Sequence, residues 1–170
     1  MLKERQVEVK SAQAGQAFDL GHDTVLKILY AFNGIQTPVG TTDINDMSLI
    51  MRLEHGQHKH LFTGDLNRAI GGYLADHPQE IAADVLKMPH HGTEGVAPNQ
   101  FFEQVGAKYA LVPSPSGLWC SDRSSRIRTW FSQHKTPVFV NGFSGHVRVE
   151  DYGDQLKIVA EKDYNPDGCT

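Results

Sequence analysis

The stretch Ala83-Asp84-Val85-Leu86-Lys87-Met88-Pro89-His90-His91-Gly92 decides how the rest of this chain is read. Ala83 to Met88 is a short apolar run without helical spacing, the pattern of a buried strand. Pro89 ends it, and two imidazoles follow at the strand's carboxyl end, where α/β proteins gather their ligands. Neutral imidazole is a common ligand for zinc and similar ions, though a hydrogen-bonded loop histidine is about as common a fate for either residue alone. Adjacent residues of extended chain point to opposite sides, so one of the pair ligates while the other orients it or holds a substrate oxygen. Gly92 permits the turn this requires.

Upstream, Leu61-Phe62-Thr63-Gly64-Asp65 ends a second apolar run on an acid. Asp65 precedes a helical pattern over Asn67 to Asp76, so its carboxylate sits near a helix N-terminus, where negative charge is favoured. The commoner role there is a helix cap, and a metal ligand is the alternative. His58 and His60 share a face of the same strand, but the five residues from His60 to Asp65 cover roughly 16 Å, too far for one ligand shell. These two read as solvated hairpin residues. His22, His55, His77, His134 and His146 have turn or helix-end neighbours and read as surface residues.

The remaining pattern frames these segments. Gln16 to Leu20 and Val25 to Tyr30 flank Gly21-His22-Asp23 as a hairpin, and Met47 to Glu54 with His58 to Thr63 form another. Phe32 to Asp46 is a loop. Pro98 to Val105 is helical and Ala107 to Val112 a strand. Ser121 to His134 is an amphipathic helix with Ser121 as a candidate cap and Ile127, Trp130 and Phe131 on one side. Val138 to Asn141, His146 to Glu150 and Gln155 to Ala160 are closing strands. Strands come first and then alternate with helices, and 170 residues are expected to form a single α/β (α+β) domain over residues 1–170.

Composition narrows the function. A formal charge of -4 argues against broad adhesion to nucleic acid or anionic lipid, so a nucleic acid would enter only as a substrate. No run approaches the roughly 20 apolar residues that span a bilayer, and Met1 to Lys10 lacks a signal peptide's apolar core. Cys120 and Cys169 form no Cys-x-x-Cys pair and no disulfide framework, which suggests a reducing, cytoplasmic setting. A Gly-x-Ser-x-Gly elbow, a phosphate-cradling Gly-rich loop and a cysteine-nucleophile setting are all missing from the sequence.

Asn45-Asp46-Met47-Ser48-Leu49-Ile50-Met51-Arg52-Leu53, then Phe62-Thr63-Gly64-Asp65, then Ala83 through Gly92 resemble, in order and spacing, the metallo-β-lactamase-fold domain of ComEC/Rec2 competence proteins. Tyr109 to Val112, Pro137 to Val140 and Gly145-His146-Val147 look like that family's closing elements. The resemblance implies an αββα sandwich binding one or two divalent metals, often zinc, and hydrolysing esters, amides or phosphodiesters with metal-activated water. It implies that Asp65 is the aspartate of the metal site. It also implies that the Pro-His-His-Gly turn supplies the last metal-binding histidine, His91 first and His90 second.

The family's leading His-x-His-x-Asp-His set has no counterpart here. The chain therefore looks like the C-terminal half, or a truncated version, of the fold, and Gly117 to Ser125 departs from the competence-protein pattern. Catalytic zinc usually takes three protein ligands and an open position, and only two are in view, so the isolated chain is expected to be weak or inactive. Two functions remain. One is a metal-dependent hydrolase acting through Asp65 and His91. The other is a non-catalytic module that forms a homodimer or complements an N-terminal half across its bare apolar face.

Overall fold

The computed structural model describes residues 5, 8–9, 11–32, 43–163 and 168–169. The loop expected over Phe32 to Asp46 therefore lies largely outside the described residues. Where description resumes, Asp43 caps a 3-10 turn, Ile44–Met47, by accepting from the Asn45 backbone N–H.

The main sheet has seven strands in sequence order: β1 (Ala17–Gly21), β2 (Thr24–Tyr30), β3 (Ile50–His55), β4 (His58–Phe62), β5 (Val85–Lys87), β6 (Tyr109–Val112) and β7 (Val138–Val140). The first four pair antiparallel and the last four parallel. The two hairpins expected at the start are present with ends shifted by up to three residues, the largest shift being the start of β3 at Ile50 and not Met47. A further hairpin, β8 (Val147–Asp151) with β9 (Leu156–Ala160), forms a separate two-stranded sheet.

Between the parallel strands run α1 (Arg68–Ala75), α2 (Pro78–Ile81), α3 (Asn99–Val105), α4 (Ser116–Trp119) and α5 (Ser125–Gln133), and α6 (Asn141–Ser144) follows β7. The crossovers step in one direction across the sheet. Their usual right-handedness therefore places the helices on one face. Register agrees: Arg52, Leu61, Leu86, Ala110 and Val138 form one row across that face. Leu61, Leu86 and Ala110 of this row are buried in one cluster with Ile70, Leu74, Phe101, Phe102, Ile127 and Phe131.

The next row, Leu26, Leu53, His60, Val85 and Tyr109, points to the opposite face. That is the face β8–β9 covers, through Asp151.

Several local expectations change. Asn67, not Asp65, caps α1, its Oδ1 accepting from the Ala69 and Ile70 N–H groups. Gly71 sits within that helix because a Cβ there would stand 2.6 Å from the Cβ of Ala97. Ser121 does not cap a long helix. Its hydroxyl donates to the Leu118 carbonyl, and a 3-10 turn, Asp122–Ser124, precedes α5. Ile127, Trp130 and Phe131 are buried as the spacing predicts. Cys120 and Cys169, far apart in sequence, are joined by a disulfide with Cα atoms 5.2 Å apart, which removes the premise of the reducing-compartment reading. Among the described residues no helix is long and apolar enough to cross a membrane.

Candidate functional site

The rim at the carboxyl ends of β4 and β5 brings the two predicted turns together. After β4, Thr63 is wholly buried, and its hydroxyl donates to the Lys87 carbonyl at 2.7 Å. The chain then turns through Gly64 in the left-handed region (φ +52°). A side chain there would meet Ser48 at 2.8 Å, so the turn seats on the segment leading into β3. Ser48 completes the seat, its Oγ accepting from the Asp65 backbone N–H at 3.0 Å.

The turn after β5 is unusual. His90 (φ 45°), His91 (φ 56°) and Gly92 (φ 73°) are consecutive residues in left-handed conformations, which non-glycine residues seldom adopt. Two bonds link this strand and turn to the other. The His90 N–H donates to the Gly64 carbonyl at 3.4 Å, and Lys87 Nζ donates to the same oxygen at 2.7 Å. Asp65 and the His90-His91 pair thus belong to one rim.

The donors differ in readiness. His91 Nδ1 lies 2.5 Å from the Pro113 carbonyl. A carbonyl only accepts, so Nδ1 carries the proton and Nε2 presents its lone pair. His90 Nδ1 is buried with no hydrogen-bond partner. Asp65 keeps 44% of its side chain exposed, and Lys87 Nζ stands 3.9 Å from its Oδ1. Burial lowers the pKa of Lys87, and the Asp65 charge pulls it back up.

The residues in view do not complete a metal centre. Among the described residues no group of three or more His, Cys, Asp or Glu side chains is arranged to hold a metal ion. The Lys87 ammonium, 3.9 Å from the Asp65 carboxylate, partly balances its charge from within the rim.

Beneath the rim lies Asp46, part of the Asn45-to-Leu53 segment that resembles the competence proteins, for which the sequence suggested no individual role. Asp46 is wholly buried, and neither carboxylate oxygen has a hydrogen-bond partner. Its backbone carbonyl accepts from Tyr30 Oη at 2.7 Å. Burial first, and the nearby Asp43 charge second, push its carboxyl above the ordinary range, and the Asn67 side chain offsets part of that rise.

At the opposite end of β4 the structure corrects the reading of His58 and His60 as solvated. They are 9% and 7% exposed. His58 Nδ1 lies 2.8 Å from Asp151 Oδ1 and His60 Nε2 lies 2.6 Å from Oδ2, with His55 Nδ1 at 3.4 Å. Burial works to raise the Asp151 pKa, but hydrogen bonds from His60, the Gly153 N–H and His58 outweigh it and hold the carboxyl down to about 2. The His-x-His spacing was the available signal. What it could not reveal was the acceptor, 91 residues further along the chain. His22, His77, His134 and His146 are exposed, as expected.

No protein-family model matches the chain. A segment of 68 residues is 34% identical to ComE operon protein 3 of Bacillus subtilis (strain 168). The match spans 40% of this chain and 9% of that protein, so the likeness is distant and partial.

Proposed function

We propose that this chain is a metallo-β-lactamase-type module of the competence-protein kind, on the αββα plan. Its rim carries part of a divalent-metal hydrolase site that it does not complete alone. Asp65 and His91 are the ligands it would contribute, with His90 beside them, and zinc is the metal that suits an imidazole and carboxylate set. The observation that carries this reading is the shared Gly64 carbonyl, which holds the acidic turn and the imidazole turn against each other. The His91 tautomer adds support, since Nε2 is the nitrogen left able to ligate.

The described donors do not by themselves fit a catalytic metal, so no hydrolytic step is assigned to the chain alone. The substrate class that goes with the proposed site is an ester or phosphodiester. A nucleic acid would be engaged at the site itself, because the chain's net charge of -4 supplies no general attraction for phosphates.

A second reading is a non-catalytic module that pairs with another copy or complements a separate chain. It draws on the sheet face opposite the helices, where Phe62 is 39% exposed, and on β1, where Leu20 is 56% exposed. One experiment separates the two readings: phosphodiesterase assay of the purified chain with added zinc or manganese, alongside its mass by light scattering. A monomer with metal-dependent hydrolysis lost in Asp65→Ala would show that the chain completes its own site. Inactivity with a stable dimer supports the pairing module. Inactivity as a monomer, rescued by a chain supplying the missing ligands, supports the incomplete hydrolase.

A further inference from the structure

Among the described residues the β8–β9 hairpin makes no strand pairing with the seven-stranded sheet, and hydrogen bonds tie it down at its two ends. At the base, the Lys162 N–H donates to the Ser144 carbonyl of α6 at 3.1 Å. At the tip, the Gln57 N–H in the β3–β4 turn donates to the Gly153 carbonyl at 2.8 Å. The turns meet so closely that a Cβ on Gly56 would stand 2.5 Å from that carbonyl oxygen. The Gly153 N–H bonds Asp151 Oδ1 at 2.9 Å, and the same carboxylate receives His58 and His60. Between tip and base, Val149 and Asp151 roof a cleft of about 240 Å³ over Leu53, Phe62 and Val85.

We propose that β8–β9 is a flap over this cleft, latched at its tip by Asp151 on His58 and His60, and that the latch tightens as pH falls through the histidine range. Histidine is the side chain whose charge ordinarily changes between about pH 5 and 8. A neutral imidazole N–H already donates to the carboxylate. A protonated one makes a bond assisted by charge on both partners, roughly twice as strong as a neutral pair.

The other charged groups facing the cluster fit this direction. His55 is the third imidazole, 3.4 Å from Asp151 Oδ1. Asp84 lies near enough to His58 to feel its charge, and is itself paired with Lys108 Nζ at 2.9 Å. Lys87 lines the far side of the cleft. Because the Asp151 carboxyl titrates only at about 2, acid does not release the latch within the histidine range.

The test is amide hydrogen exchange on the full chain at about pH 5.5 and about pH 8, corrected for intrinsic exchange rates. The Gln57 amide, whose bond to the Gly153 carbonyl reports tip contact, is expected to be about fivefold better protected at the lower pH, the equivalent of roughly 1 kcal/mol. Amides of α5 should show no such change. His58→Asn combined with His60→Gln keeps donors for Asp151 that cannot be charged, so tip protection should persist with a flattened pH dependence. Asp151→Asn should lower it at both pH values. Equal wild-type protection at the two pH values would overturn the proposal. So would a wild-type pH dependence in the His58→Asn, His60→Gln double variant, which keeps the test decisive should Asp151→Asn fail to fold.

Discussion

The two ends of β4 carry the same residue types to opposite effect. Beyond its carboxyl end, Asp65 is nearly half exposed, shares its charge with Lys87 at 3.9 Å, and receives no imidazole. At the amino end, Asp151 keeps 11% of its side chain exposed and receives two imidazoles at 2.8 and 2.6 Å. A carboxylate left open with a half-committed partner can still take a ligand, whereas one enclosed by donors is structural. Residue type alone does not separate them. Burial and the number of donors do.

Stability should separate the two ends most clearly. A carboxyl at about 2 in the folded state and 3.8 in the unfolded one contributes about 2 kcal/mol above pH 4. Asp151→Asn should therefore cost about that much at neutral pH in urea unfolding, while Asp65→Asn, at a more exposed site, should shift stability by less than about 0.5 kcal/mol. Equal losses would erase the contrast. Because the folded value is the lower one, the Asp151 contribution should fade as pH falls from about 4 through about 2, and Asp151→Asn should lack that portion of the acid transition.

Asp46 sharpens the comparison from the other direction, as a buried carboxyl without the imidazoles that hold Asp151. Its folded pKa is raised, so the unfolded chain releases the proton first as pH rises above 3.8. The folded state therefore loses stability as pH climbs from there toward its own raised value. Asp46→Asn should raise stability at about pH 7 by about 1 kcal/mol and make little difference at about pH 3, a change readable from thermal melts at the two pH values.

Much of the fold was legible because it rests on local pattern. The apolar runs of β2 to β6 and the helical spacing of Ile127, Trp130 and Phe131 declare themselves within a few residues. The rim was legible for a related reason: both turns end adjacent parallel strands, and strand ends lie side by side. The short helices α4 and α6 were missed because four residues of Ser-Gly-Leu-Trp or Asn-Gly-Phe-Ser carry no period. The histidine cluster was missed because its meaning comes from a distant strand. The cysteine pair was missed because 49 residues separate the partners, a distance over which sequence spacing carries no pairing signal.

The central claim is that the rim holds two donors of a metal site and not a third. Titrating zinc into the purified chain by calorimetry, with Asp65→Ala and His91→Ala beside the wild type, tests it most directly. No stoichiometric binding that either substitution removes is expected. One equivalent bound tightly by the wild type and lost in both variants would contradict it.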